Sequence, residues 1–165
     1  MLDTIALPIE VRHIILILLS CFSSFIIGYE RKSKHKQAGR KTHILVALTA
    51  TLMMILSKEA FLDTPNYDTS RVAAQIVSGI SFIGGGIIFM RDKKISGITT
   101  AAGIWATAGI GMAIGAGFAF LGLFCSLIVV SVQKSSSKFL KIDTHYHIRM
   151  TGFVTNKPSK DPFAP

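Results

Sequence analysis

The chain has 165 residues, of which 50% are hydrophobic and only 16% are charged, and its mean hydropathy is +0.50. This balance is typical of membrane proteins and excludes an ordinary soluble domain of this size. A net charge of +9 would suit a nucleic-acid partner, but Lys and Arg stand in short blocks between long apolar runs, as topology signals do. We therefore predict that lipid surrounds the chain and that nucleic acid is not a partner.

The lengths of the uncharged runs predict five transmembrane helices, because one crossing needs about 20 mostly apolar residues. The run from Ile95 to Gln133 is long enough to cross the bilayer twice, with a turn at Gly115-Ala116-Gly117. Acidic residues precede the first run and basic residues follow it, which is the reverse of a cleaved signal peptide. The predicted helices span about 11–29, 42–60, 70–90, 97–114 and 117–133.

The positions of Lys and Arg predict the orientation of the bundle. Fifteen of these residues lie on one side of the five crossings, and only Arg12, Lys58 and Arg71 lie on the other. By the positive-inside rule the basic side is cytoplasmic, so the amino terminus is predicted to lie outside. Residues 1–134 form the predicted transmembrane domain. The cytoplasmic tail, 135–165, is expected to be poorly ordered, because its one strand-like segment, 144–151, cannot fold alone.

The third predicted helix carries polar residues on one face. Arg71, Gln75 and Ser78 follow the spacing i, i+4, i+7. A buried amide is costly without partners, so Gln75 is expected to face other helices or a watery cavity. One interpretation is a polar recess that opens outward, with Asp68 and Arg71 at its mouth. The other is that Asp68 caps the helix, Arg71 extends to the interface and Gln75 links two helices.

Small residues in the third and fourth helices predict close packing. Gly84-Gly85-Gly86 indicates either a tight helix contact or a locally unwound segment that lines a site. In the fourth helix small side chains recur every four residues and form a continuous ridge, which predicts an interface within the chain or between copies. The members of this ridge are Thr99, Gly103, Thr107, Gly111 and Gly115.

Three residues of the fourth helix have further predicted roles. Thr99 and Thr100 are expected to satisfy free amides of the first helical turn. Trp105 is too deep for an interfacial belt, so its indole N–H is expected to meet a partner helix.

The remaining polar residues predict no catalytic centre. Glu30 is an acid on the basic side and should pair with a neighbouring base. His145 and His147 share a strand face but have no third ligand nearby, so we predict no metal and no other cofactor. Gly79 and Gly84 have the outer spacing of a phosphate-binding loop, but the Lys and Ser or Thr of that motif are missing. We therefore predict that the chain is not an enzyme.

Between about Glu10 and Lys134 the chain resembles the MgtC/SapB family of bacterial inner-membrane proteins. The matching residues are Gly28-Tyr29-Glu30-Arg31; Ala38-Gly39 with Thr42-His43; Asp68, Ser70, Arg71, Ala73, Ala74, Gln75, Ser78, Gly79, Phe82, Gly84 and Gly86; and Gly97, Thr99-Thr100-Ala101-Ala102 and Trp105. The family usually has Asp-Pro-Ser-Arg at 68–71, Gly-Ala-Gly at 84–86 and Arg at 41. Longer members carry a cytoplasmic domain of which this chain retains only the first strand-like segment.

The resemblance implies adaptation to low magnesium, to acid or to life inside host cells, and for some members restraint of the F-type ATP synthase. We therefore expect a regulatory membrane protein that acts through helix contacts with itself or with a membrane partner such as that synthase. The alternative is a transporter or channel for magnesium or another ion, which would use the recess at Arg71, Gln75 and Ser78. A pore needs these polar faces to converge on a wet path, whereas a binding protein would expose the small-residue ridge to lipid.

Overall fold

A computed structural model describes residues 8–34, 36–91 and 94–135. Within these residues the chain forms five helices and one short hairpin. The elements are α1 (Ile9–Ser33), α2 (Arg40–Glu59), α3 (Ser70–Ile87), β1 (Phe89–Arg91), β2 (Lys94–Ser96), α4 (Ile98–Gly115) and α5 (Ala119–Ser135). The chain divides after Val130 into two units, and the only described part of the second is the end of α5. The predicted strand at 144–151, with His145 and His147, lies outside the described residues.

The prediction of a helical membrane protein is confirmed. Three helices, α1, α2 and α4, are long and apolar enough to cross a membrane, while α5 is apolar but shorter. Large side chains such as Leu18, Phe22 and Phe124 are about 60% exposed, which suits a surface that faces lipid. The number of crossings and the side on which each end lies stay predictions.

The third helix ends at Ile87, three residues before its predicted end, because the chain turns there into the β1–β2 hairpin. In this hairpin Phe89 pairs with Ser96 and Met90 pairs with Ile95 in antiparallel register. The sequence analysis did not predict the hairpin. Its strands have only three residues each, and the first continues the apolar run of the preceding helix, so neither stands out as a strand.

Helix α2 packs against α1 and α4, which also contact each other. Arg12 of α1 lies 3.0 Å from Glu59 of α2 at one end, and Ser20 lies 2.7 Å from Thr51 further along. The paired residue numbers run in opposite directions, so α1 and α2 are antiparallel. Apolar side chains fill the space between the helices, and the largest that are fully buried are Ile27, Ile104 and Ile114. Helices α1, α2 and α4 therefore pack against one another through a shared apolar core.

The long uncharged run turns at the glycine-rich segment, as predicted. Gly117 has a φ of +100°, a left-handed conformation that glycine adopts without the steric cost of a side chain. Its N–H donates to the carbonyl oxygen of Ile114 (3.0 Å), and the N–H of Phe118 donates to that of Ala113 (2.9 Å). These bonds satisfy carbonyl groups at the end of α4, so that α5 can start at Ala119.

Candidate functional site

Asp68 stabilises the beginning of α3. Its Oδ1 atom accepts a hydrogen bond from the N–H of Ser70 (2.8 Å) and another from the Ser70 hydroxyl (2.7 Å). These two bonds, and then the charge of Arg71, hold the pKa of the Asp68 carboxyl below its ordinary value. The N-cap residue itself is Thr69, which makes no side-chain cap, so Asp68 supports the helix start from one residue before the cap position that the sequence analysis gave it.

The other described helices leave the polar residues of α3 exposed. Arg71, Gln75 and Ser78 are all exposed, and α3 contains no buried residue. The Ser78 hydroxyl donates to the carbonyl oxygen of Ala74 on its own helix (3.3 Å). One turn further along, Phe82 is 88% exposed. Amide, hydroxyl and aromatic groups therefore lie side by side on a helix face that the described chain leaves uncovered.

An open groove of about 410 Å³ lies between α2 and α3, where the sequence predicted a polar recess. Gln75 lines it and Thr49 faces it from α2, but the other lining side chains are apolar, among them Met53, Ile76 and Ile80. Arg71 and Ser78 are not among the described residues that line it. The groove therefore has an apolar wall rather than the polar lining that was expected.

The three glycines of α3 lie in regular helix, which excludes the locally unwound segment in this structure. A Cβ atom added at Gly84 would lie 3.7 Å from the Ala101 side chain of α4, in ordinary contact. Added at Gly85 or Gly86, it would meet no described atom within 4 Å. The helix contact expected here thus occurs at Gly84, whereas Gly85 and Gly86 belong to the uncovered face.

The small-residue ridge of α4 packs against α2 within the chain. A Cβ atom added at Gly111 would lie 2.6 Å from the Ala47 carbonyl oxygen, and at Gly115 it would lie 2.6 Å from that of Thr51. Gly103 and Thr107 are buried as well, while Thr99 at the start of the ridge is exposed. A binding surface formed by an exposed ridge is therefore excluded for most of its length.

A matching row of residues on α2 faces this ridge, and the sequence analysis missed it. His43, Ala47 and Thr51 recur every four residues and are buried. They meet Thr107, Gly111 and Gly115 at a constant offset of 64 residues, so α2 and α4 run parallel. The same spacing of small and polar residues that revealed the ridge of α4 was present in α2, and it could have revealed the pair.

Thr51 joins three helices through hydroxyl hydrogen bonds. Its Oγ1 atom donates to the Gly111 carbonyl oxygen of α4 (2.9 Å) and lies 2.7 Å from the Ser20 hydroxyl of α1. A hydroxyl has only one hydrogen, so the Ser20 hydroxyl donates to Thr51. Thr51 and Ser20 are both fully buried. Such bonds hold helices together in lipid, where apolar contact alone gives little preference for one neighbour over another.

A second polar group is buried where α1 ends and α2 begins. Glu30 and Arg31 are 5% and 2% exposed, and Glu30 forms ion pairs with Arg31 (3.4 Å) and with Lys34. His43 lies fully buried nearby, with its Nδ1 atom 2.8 Å from Thr107 Oγ1. Because the Thr107 hydroxyl donates to the Gly103 carbonyl oxygen (2.8 Å), the Nδ1–H of His43 donates to Thr107. The predicted pairing of Glu30 with a base is present, but the pair is buried.

The other predicted site residues lie apart from the polar face of α3 and from the buried cluster around Glu30. Thr100 is buried in the first turn of α4, and the helix begins after Gly97 without a side-chain cap at that position. Trp105 is 55% exposed on the opposite side of α4 from the ridge. The structure therefore does not gather the predicted residues into one site. It separates an uncovered face on α3 from a buried cluster around Glu30.

Comparison with known proteins identifies the family. The model of the MgtC family matches residues 17–141. "Putative magnesium transporter YhiD" of Escherichia coli (strain K12) is 41% identical over 147 residues, which cover 85% of this chain and 68% of that protein. Protein SapB of Bacillus subtilis (strain 168) is 42% identical over 114 residues, covering 66% of this chain and 49% of SapB.

Protein MgtC of Brucella abortus (strain 2308) is 38% identical over 108 residues, which cover 66% of this chain and 44% of that protein. No solved structure matches the chain. The family match extends over most of the chain, and it includes the buried Glu30 cluster, the face of α3 and the ridge of α4. The chain therefore belongs to the MgtC family, and it is a membrane protein of that family.

Proposed function

We propose that this chain is a regulatory protein of the bacterial inner membrane, without enzymatic activity, that acts by contact between α3 and a membrane partner. In this proposal all five helices cross the bilayer, the amino terminus lies outside, and the regulation serves adaptation to low magnesium, acid or intracellular life. The F-type ATP synthase is the partner that the family resemblance implies.

The observation that carries this proposal is the uncovered polar face of α3. Gln75 and Ser78 are exposed, although they lie in the middle of an apolar segment that we place in lipid. An amide in contact with lipid loses hydrogen bonds to water and gains none, so another helix that offers a polar group is its favourable neighbour. Gly85 and Gly86 on this face would let that helix approach closely.

The packing inside the described bundle counts against transport. Within the described residues the ridge of α4 and the row on α2 are in direct contact, and the groove beside Gln75 is largely apolar. A conducting path needs polar groups that replace the hydration shell of the ion. Magnesium transport stays the second candidate, because a relative that is 41% identical carries the name "Putative magnesium transporter YhiD".

A pair of glycine variants tests the contact. Gly85→Leu adds a bulky side chain to the face of α3, while Gly109→Leu adds the same side chain to an exposed position of α4, and neither site has a described atom within 4 Å of a new Cβ. Both variants should therefore fold. In a pull-down from mild detergent, we expect Gly85→Leu to lose about 80% or more of a membrane subunit that wild type and Gly109→Leu retain, since a misplaced side chain costs about 1–3 kcal/mol.

Equal recovery of that subunit by the two variants would reject the α3 face as the contact.

Magnesium flux into liposomes that contain the purified chain tests the second candidate. We expect no flux above that of empty liposomes. A flux that Gln75→Ala reduces would establish transport and overturn the regulatory proposal.

A further inference from the structure

The turn between α1 and α2 carries a dense group of basic residues. Six of the eleven residues from 31 to 41 are Lys or Arg, namely Arg31, Lys32, Lys34, Lys36, Arg40 and Lys41, and the sequence has no acid between Glu30 and Glu59. Glu30 forms ion pairs with Arg31 and Lys34. It therefore offsets charge in the buried part of this group, while Lys32, Lys36 and Lys41 lie exposed.

Arg40 is held at this end of the bundle by two aromatic rings of α1. Its guanidinium carbon lies 5.9 Å from the centre of the Phe25 ring and 5.7 Å from the centre of the Tyr29 ring. The rings are 6.1 Å apart, and they are 40% and 59% exposed. These cation–π contacts fix a planar donor group at the surface, and such a group matches the oxygen atoms of a phosphate.

The start of α2 adds to the positive field. Arg40 is the first residue of this helix, and Gly39 before it provides no side-chain cap. The first N–H groups of a helix have no partners within it, and they carry partial positive charge. The helix start, the fixed guanidinium of Arg40 and the neighbouring lysines therefore attract the same kind of group, an anion.

An apolar stripe on α1 leads away from this basic group. Leu18, Phe22, Phe25 and Tyr29 follow the spacing i, i+4, i+7, i+11, so they lie on one helix face, and all four are exposed by 40% or more. A stripe of this length, beginning at the basic end of α1 and continuing along the helix, suits an acyl chain. A free phosphate ion has no apolar part that could contact this stripe.

From these observations we propose that the α1–α2 turn binds the headgroup phosphate of an anionic phospholipid through Arg40, Lys36 and Lys41, with one acyl chain along the Leu18–Tyr29 stripe. Phosphatidylglycerol is the probe for this site. The basic residues then have a role beyond setting topology, because they hold a particular class of lipid against the first two helices. This proposal does not depend on contact between α3 and a partner.

Native mass spectrometry of the purified full chain tests the site. The chain is mixed with equal amounts of phosphatidylglycerol and phosphatidylcholine that have the same acyl chains, and the bound lipids are counted. Wild type should retain phosphatidylglycerol preferentially. Arg40→Gln should weaken that preference about fivefold, which is the usual effect of one basic residue near an anionic lipid surface. Tyr29→Leu should weaken it as well, since the guanidinium of Arg40 loses one of its rings.

Arg71→Gln is the matched control, because it makes the same chemical change at an exposed position at the start of α3. It should keep the preference of wild type. Equal retention of the two lipids by wild type would overturn the proposal. So would a preference for phosphatidylglycerol that Arg40→Gln and Tyr29→Leu leave unchanged, because the lipid would then bind elsewhere.

Discussion

Replacing Glu30 with Gln is expected to lower the free energy of unfolding by about 3 kcal/mol. The change keeps the size of the side chain but removes its negative charge. Arg31, which is 2% exposed, would then remain buried beside Lys34 without the carboxylate that both of them contact. An uncompensated buried charge is among the most destabilising changes that a single substitution can make.

Thermal unfolding of the purified chain in detergent measures this effect. For a chain of this length, a loss of about 3 kcal/mol corresponds to a decrease in Tm of about 6–12 °C. Glu10→Gln is the control, because Glu10 is an exposed acid in the first turn of the same helix. It should shift Tm by less than about 2 °C. If both variants shifted Tm equally, the buried ion pairs of Glu30 would have no special role in stability.

The second large effect is expected at Gly111. Ala at this position would place a Cβ atom 2.6 Å from the Ala47 carbonyl oxygen and 3.2 Å from the Ala47 Cα atom. Both are backbone atoms, so α2 and α4 would have to separate, at a cost of about 2 kcal/mol. At Gly109, two residues earlier, the same substitution meets no described atom within 4 Å. There Ala should stabilise the helix by up to about 1 kcal/mol.

The two Ala variants should therefore differ by about 3 kcal/mol in unfolding free energy, and Gly111→Ala should be the less stable. Their melting temperatures in detergent provide the comparison. An increase in Tm for both variants would mean that the ridge does not contact α2. The ridge would then be exposed and would again be a candidate interface between molecules.

Helical periodicity and the spacing of small residues predicted the features of this chain that repeat along a helix. The small-residue ridge of α4 was predicted because its members recur every four residues, and the turn at Gly115-Ala116-Gly117 was predicted because it divides one overlong apolar run. Both signals are local in sequence. The β1–β2 hairpin was not predicted, because three-residue strands give too short a pattern to separate from the end of α3.

The partner of each polar group could not be predicted in the same way. The sequence indicated that Gln75 should be covered and that Glu30 should pair with a base, but packing decides which of these groups the chain itself buries. In the fold Glu30 and His43 are buried, while Gln75 is exposed. The sequence analysis named His43 only as part of the family resemblance. His43 lies inside because the small ridge of α4 leaves room for its ring beside Thr107.

The most direct test of the contact proposed for α3 is site-specific photocrosslinking in the membranes of cells that produce the full chain. A photoreactive residue at Ser78 lies on the uncovered face of α3, and the same residue at Leu18, which is 62% exposed on α1, faces lipid. We predict a protein adduct of defined mass from Ser78 and lipid adducts alone from Leu18. Lipid adducts alone from both positions would contradict the account, because the polar face of α3 would then have no protein partner.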